Sequence, residues 1–482
     1  MSDRPFEQLE PALLWKHFEA FTTMRRPSGE EGAVIEYVRR WAKEHAFEVI
    51  QDATGNLVVR VPASEGCEKA APVILQGHLD MVCERNADSP YDAREGRLHV
   101  VREDDWITAE GTTLGADNGI GVSAGMAVAE DPAVKHPPLE LLMTIDEETG
   151  MTGARGLQPE NLRGRLMLNL DSEDDDLVFV GCAGGIDTRF RMAFETSSAP
   201  SDHIFLRVSV SGLLGGHSGL DINRNRLNAI CALARLLTDA AVAWRLAAID
   251  GGKMRNAIPR EAAAVVSCAP GEEEAFRRAV AATTAELKEQ YAGLDDGLTV
   301  EIDRVDRAAV MPEEDGRRLV RFLRALPSGV VAMSQDIEGL VETSTNLGVV
   351  TTEDQVVEAV SCSRSSVGAA LEMVVGQLDA LAALAGIEAK EEGGYPGWKP
   401  KLDSKALKVV RQAYLELFED EPEVTAIHAG LECGLIGEKV PGMDMVSFGP
   451  SIRGAHSPDE RVSISSTRKF YRLLTSVLGR LC

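Results

Sequence analysis

The rhythm of apolar and polar positions changes along this chain, and each change marks an element or a boundary. Over residues 9–21 and 30–45, apolar side chains recur every third or fourth place, which predicts two amphipathic helices. Pro27-Ser28-Gly29-Glu30-Glu31 breaks the first and starts the second with a Ser and early acids. Residues 47–51 and 56–61 are short apolar runs about Asp52-Ala53-Thr54-Gly55, a hairpin signal, and 98–101 reads as a short strand. Three longer runs, 73–76, 139–145 and 166–170, are apolar without alternation, as in strands buried on both faces. Between the first two, residues 111–128 pass from a glycine-rich start into an Ala/Val/Met-rich helix with almost no polar face. Strands alternating with helices predict an α/β domain: a mostly parallel sheet with flanking helices and its ligand site at the C-terminal strand edge.

Beyond Gly185 the texture changes. Residues 204–211 and 299–305 alternate apolar and polar, as half-exposed antiparallel strands do. Helices are predicted over 225–246 and 272–291, strands over 347–351 and 356–363, and a further helix over 367–384. This predicts an α+β domain inserted into the first. Gly393-Gly394-Tyr395-Pro396-Gly397-Trp398-Lys399-Pro400 is a loop-like return, followed by a helix over 404–419. The expected division is therefore 1–185 and 399–482 for the first domain and 186–398 for the insert. No low-complexity tract or short-period repeat is visible.

Composition narrows the function. The 482 residues are 44% hydrophobic and 26% charged, enough apolar material for more than one core. A net charge of -26 with no basic stripe argues against nucleic acid as a partner. No apolar run approaches the roughly 18 residues of a membrane helix, and residues 1–10 lack the basic start and apolar core of a secretory leader. Eight scattered cysteines without a C-x-x-C pair read as free thiols in a reducing cytoplasm.

Candidate chemistry gathers where the buried runs end. His78 and Asp80 follow the first run two apart, so on an extended backbone they share a face. That suits an imidazole ligand with a carboxylate behind it; taken alone, it suits a polar strand end equally well. Asp117 starts the buried helix, Glu147 and Glu148 follow the second run, Asp171 follows the third, and His456 stands in G-A-H-S-P-D-E. A lone acid in such a place is usually a cap or a solvated loop. Two imidazoles and three carboxylates together form a mixed N/O set for divalent zinc, manganese or cobalt. Two such cations against Asp117, Glu148 and Asp171 leave one positive charge, which a hydroxide cancels. Paired metals both generate a nucleophile and polarise a carbonyl. Glu147 and Glu148, as neighbours on an extended backbone, face opposite ways, so one can ligate while the other serves as general base. Spacing does not say which does which.

The motifs Q-G-H-L-D-M-V, L-G-A-D-N-G, D-E-E-T-G, N-L-D-S-E, G-G-H-S-G and G-A-H-S-P-D-E occur in this order. Together they resemble the di-metal M20 peptidase family, and within it the aminoacyl-histidine (Xaa-His) dipeptidases, also called peptidase D or bacterial carnosinase-type enzymes. The resemblance runs from about residue 10 to the C-terminus. It implies a zinc-peptidase-like catalytic domain with an inserted lid and dimerisation domain. It also implies a cytoplasmic, homodimeric hydrolase of unblocked dipeptides, using two divalent ions (zinc first, manganese or cobalt otherwise) and a metal-bridged water activated by a glutamate. Residue by residue, His78 and Asp171 resemble ligands of one metal, Glu148 and His456 ligands of the other, and Asp117 the bridging carboxylate. Asp117-Asn118 matches a position where the family tends to have a cis peptide. Asp80 resembles the acid orienting His78, and Glu147 the general base. His217, in G-G-H-S-G, resembles the histidine that stabilises the oxyanion, supplied in cis or in trans. Asn256, Arg364 and Gly430 resemble substrate-holding residues, Arg364 suiting a free carboxylate. His428 reads as structural, and 173–176 as a solvated acidic loop without the glycine and terminal Glu of a calcium-binding loop.

Other readings are weaker. Gly121-Val122-Ser123-Ala124-Gly125 fits G-x-S-x-G, but Ser123 falls inside a predicted apolar helix rather than at a strand-to-helix elbow. A binding module that kept the fold without catalysis would have no use for Glu147. Aminotripeptidase or N-acyl-amino-acid amidohydrolase activity differs by pocket shape, which sequence does not display.

Overall fold

Burial on both faces turns the apolar runs into the centre of a sheet. In the computed structural model, which describes residues 4–306 and 309–482, every residue of Val73–His78 and Leu139–Thr144 is buried. Met1 to Asp3, at the head of the polar N-terminal stretch, lie outside the described residues. Val73–His78 pairs in parallel with Leu139–Thr144 on one side and Leu166–Asn169 on the other, and Asp444–Ser447 extends the parallel set. Antiparallel strands flank it: the hairpin Glu48–Gln51 and Leu57–Val61 beside Leu139–Thr144, and Leu177–Cys182 beside Asp444–Ser447, with Glu423–Ile427 at the far edge. The eight-stranded sheet is thus mixed, and parallel at its centre.

The helix Ala116–Glu130 lies against this centre, with Gly119 to Val128 buried. Its glycines set how close it comes. A Cβ on Gly121 would stand 2.4 Å from the Leu170 carbonyl oxygen, so only glycine permits that approach. Ala12–Phe21 packs on the same helix, with Phe18 facing Gly119. Lys405–Phe418 and Ile464–Leu481 pack together at the C-terminal end of the chain.

The chain divides into two compact units. One holds the residues up to Gly181 with Pro400–Ala426 and Leu431–Cys482; the other holds Cys182–Lys399 and Ile427–Gly430.

The second unit is built on one nine-stranded sheet with an internal symmetry. Its first half runs Ile204–Ser211, helix Ala229–Asp239, Arg245–Gly251, Ala262–Cys268, helix Glu273–Gln290, Thr299–Val305. Its second half runs Gly184–Ala193, helix Glu313–Ala325, Val341–Glu353, Val356–Ser365, helix Gly368–Ala385, Glu388–Tyr395, the first half being inserted after its opening strand. Each is a β-α-β-β-α-β unit in ferredoxin-like order, and their second strands meet at Gly251 and Val350. All four helices contribute to one apolar core, through Leu233, Phe276, Leu323 and Leu378 among others.

Three expectations are corrected. The helix expected over 225–246 is shorter, Ala229–Asp239, and gives way to the strand Arg245–Gly251. Asn228 caps it, accepting from the N–H groups of Ile230 and Cys231, and sheet burial of Leu246 and Ile249 overrides the helical preference of Leu and Ala. Gly368–Ala385 has the length and mean hydropathy, 18 residues at 1.4, of a membrane-crossing helix. Glu372 and Asp379 hide this from a search for unbroken apolar runs, and Val374, Val375, Leu378 and Ala382 are buried in the unit. Finally, Cys67 and Cys482 are joined by a disulfide across a separation of 415 residues; the other six cysteines are unbridged.

Candidate active site

Three of the central strands, Val73–His78, Leu139–Thr144 and Leu166–Asn169, lead polar residues to the same edge of the first unit's sheet. His78 ends its strand and is 1% exposed. Its Nε2 stands 3.1 Å from Asp117 Oδ1 and 3.3 Å from Asp171 Oδ1. The other oxygen of Asp117 stands 3.2 Å from His456 Nε2, which is also 2.9 Å from Glu148 Oε2. Asp117 therefore sits between two pairs, His78 with Asp171 and His456 with Glu148. Atoms of His78, Asp117 and Glu148 lie within 4.8 Å of one another, close enough to share a cation.

The set fits divalent metal. One oxygen each of Glu148 and Asp171 is buried without a hydrogen-bond partner among the described residues. Burial pushes the Asp171 carboxyl up to about 7 despite His78 beside it. Burial opposes charge on Asp117 too, but hydrogen bonds from His456 and His78 hold its carboxyl well below the usual range. Those same bonds, from Asp117 and Glu148, raise His456 to about 11. Three carboxylates gathered about two imidazoles are a donor set for cations.

Asp80 ties the site together. Its Oδ1 is 3.4 Å from His78 Nδ1 and accepts the Glu147 N–H at 3.1 Å; its Oδ2 accepts the Glu148 N–H at 3.1 Å and the Ser28 hydroxyl at 2.8 Å. Burial would raise the Asp80 carboxyl, yet His78, Ser28 and the Glu147 N–H bring it to about 2. Asp80 thus stays an anion that faces His78 and anchors the turn carrying both glutamates.

That turn differs from expectation. Asp146 adopts a left-handed conformation and Glu147–Gly150 is a helical turn, not an extended segment. Successive side chains separate by about 100° around a helix, and this step, rather than strand alternation, sends Glu148 to His456 and leaves Glu147 apart. Burial, with Asp171, Glu432 and Glu148 nearby, holds the Glu147 carboxyl well above its usual range.

Two residues behind the site escaped the sequence reading. Glu460 accepts from the N–H groups of Leu114, Gly115, Ala116 and Asp117, at 2.7, 2.9, 2.7 and 3.4 Å. Arg26 donates to the carbonyls of Leu79, Asp80 and Gly115. Together they hold the turn at Gly115, whose φ is 71°, and the following Asp117-Asn118 peptide, which is cis. Glu460 ends the motif that contains His456, so its signal was on view; Arg26 had none. The loop read as solvated is also corrected. Asp174 pairs with Arg453 and Asp176 with Lys469, while Glu173 is half-buried near Asp117 and His456, and burial raises its carboxyl to about 8.

The remaining candidates belong to the second unit. His217 pairs with Ala257 in a short antiparallel bridge, and the Asn256 carbonyl accepts the Ser218 N–H at 2.8 Å. His217 Nδ1 accepts from the N–H groups of Gly219 and Leu220 at 3.2 and 3.1 Å. Only the unprotonated nitrogen can accept, so in the neutral ring Nε2 carries the proton. Burial and the charge of Arg364 both lower the His217 pKa, which favours this neutral form. Arg364 is 7% exposed and donates to the Tyr395 hydroxyl at 3.0 Å. His428 is buried, bonded to Ser344 at 2.7 Å, and lowered to about 4 by burial and by Arg364 and His217; Gly430 follows two residues later. Ser123 is fully buried within Ala116–Glu130, away from any elbow.

The pattern of the peptidase family M20/M25/M40 matches residues 74–480. The chain is 41% identical to the cytosol non-specific dipeptidase of Escherichia coli (strain K12) over 98% of each chain. It superposes on the crystal structure of aminoacylhistidine dipeptidase from Vibrio alginolyticus with a TM-score of 0.92, at 40% identity over 98% of each. A tripeptidase from Staphylococcus aureus shares the fold at a TM-score of 0.58 and 14% identity, over 98% of this chain and 99% of that one. On a match that spans the candidate residues from His78 to His456, this chain belongs to peptidase family M20/M25/M40.

Proposed function

We propose that the protein is a metal-dependent dipeptidase that cuts the peptide bond of unblocked dipeptides, Xaa-His among them. The observation that carries this is Asp117, with one carboxylate oxygen on His78 and the other on His456. Whole-length likeness to two dipeptidases supports the substrate class.

His78 and Asp171 would hold one divalent ion, Glu148 and His456 a second, with Asp117 shared, and zinc suits the set ahead of manganese or cobalt. When bound, such ions acidify water and polarise a carbonyl. Asp80 keeps His78 oriented. Glu147 takes the proton from the attacking water and passes it to the leaving amine; a carboxyl whose proton affinity is raised by burial suits both steps. His217 Nε2–H donates to the oxygen on which charge develops. Arg364 receives the substrate carboxylate, with Asn256 and Gly430 beside the substrate. The first unit would be the catalytic domain, and the second, Cys182–Lys399 with Ile427–Gly430, the lid through which a homodimer forms. Likeness to a cytosolic relative supports a cytoplasmic location.

The test is hydrolysis of Xaa-His dipeptides, tripeptides and N-acetyl amino acids before and after chelation. Dipeptide cleavage that chelation abolishes and metal restores is expected. Activity indifferent to chelation contradicts the reading, and preference for tripeptides or N-acetyl amino acids reassigns the substrate.

A further inference from the structure

Glu432 is a fully buried carboxylate to which the mechanism gives no task. It opens the helix Glu432–Lys439. Its Oε2 accepts from the Gln76 amide and from the Thr144 hydroxyl, both at 2.6 Å, while Oε1 has no partner among the described residues. The row continues through Gln76. Asn169 donates to the Gln76 amide oxygen at 2.5 Å, and the Ser447 hydroxyl donates to Asn169 at 2.5 Å. Ser447 and Ser172 then share a bond at 2.6 Å. Gln76, Thr144, Asn169 and Ser447 are each 0% exposed. From Ser447 inward every donor points toward Glu432, so the row ends on a carboxylate acceptor.

The row crosses the four central strands one step behind the site. Gln76 precedes His78 by two residues on its strand, Asn169 precedes Asp171 by two, and Thr144 precedes the turn of Glu147 and Glu148. Gln76 is in register with Asn169, and Asn169 with Ser447. An apolar row would fill this space at lower desolvation cost, but it would not fix the strand ends to hydrogen-bond tolerance.

We propose that Glu432 is a positioning residue, the anchor of a buried polar row that holds the strand ends at the spacing where His78, Asp171 and Glu148 meet. The inference rests on reading those residues as metal ligands. A plain helix-start role for Glu432 would affect stability and leave metal affinity alone.

The test uses full-length enzyme stripped of metal and titrated with zinc by calorimetry against a competing chelator, with the melting temperature of each metal-free variant recorded. Glu432→Leu is expected to weaken zinc binding about 10–100-fold, the range seen when groups supporting ligands are lost. Glu432→Gln, which keeps an acceptor oxygen, is expected to recover to within about threefold of wild type, and the near-isosteric Thr144→Val to fall between. Thr144→Val decides the matter if Glu432→Leu does not fold. His78→Ala is the control for the ligand reading: full zinc stoichiometry in that variant sinks the reading itself. Loss of an ion in His78→Ala with wild-type affinity in Glu432→Leu and Thr144→Val overturns the positioning role alone. Equal weakening by Glu432→Gln and Glu432→Leu also overturns it, because charge and not the hydrogen-bonded row would then be responsible.

Discussion

At the scale of single residues, carboxylates behind the site hold its backbone in place. Asp80 accepts from the N–H groups of Glu147 and Glu148 and faces His78. Asp80→Ala removes no ligand, so it is expected to lower metal affinity or turnover about 10–100-fold while both ions still bind. Metal analysis alongside kinetics checks this; complete loss of one ion would make Asp80 a ligand. Glu460 satisfies four backbone donors in the Leu114 to Asp117 turn. Glu460→Ala leaves them buried and unpaired, at about 1–3 kcal/mol each. It should destabilise by at least about 3 kcal/mol in denaturant unfolding, and a change below about 1 kcal/mol would show that the turn holds itself. Legibility differed for a physical reason. His78 and Asp80 were readable because strand geometry puts neighbours two apart on one face. Glu460 acts on backbone groups some 346 residues earlier, and no local periodicity reports a bond to a peptide N–H.

At the scale of elements, burial made the central strands legible and tertiary bonding hid the rest. Runs buried on both faces kept their apolar signature, whereas the 225–246 stretch mixed a helix with a strand of equally helix-prone residues. Helix ends are also held by side chains distant in sequence. Glu130, closing Ala116–Glu130, receives Lys16 at 2.7 Å and Trp41 at 3.1 Å and faces His17 at 2.9 Å. Burial would raise its carboxyl, but these partners bring it to about 2, below the unfolded value near 4.5. A lowered carboxylate pKa gives stability that is present above 4.5 and is lost as pH falls toward 2. His17, lowered mainly by burial, acts in the same direction: the unfolded chain takes the proton first as pH falls through 6.5. Wild type should exceed Glu130→Gln by about 2 kcal/mol at pH 7, allowing for solvent screening, and most of that margin should vanish by about pH 3. A margin unchanged by acid would show that packing, not charge, holds the helix end.

At the scale of the whole molecule, the fold class and the order of motifs were readable, while features that depend on long-range pairing were not. The two β-α-β-β-α-β halves of the second unit share no visible sequence period, because one is threaded through the other after its first strand. The Cys67–Cys482 bridge likewise joins residues without a spacing rule. Thiol titration of denatured, unreduced protein should give six thiols, rising to eight on reduction; eight before reduction would remove the bridge. The central claim is that the imidazoles and carboxylates around Asp117 hold metal while Glu147 moves the proton. The most direct measurement is dipeptide turnover by Glu147→Gln, with bound metal counted on the same sample. The expected result is unchanged metal content with kcat lowered about 10²–10⁴-fold, the range of a lost general acid–base group. Near-normal turnover with metal in place would contradict the account.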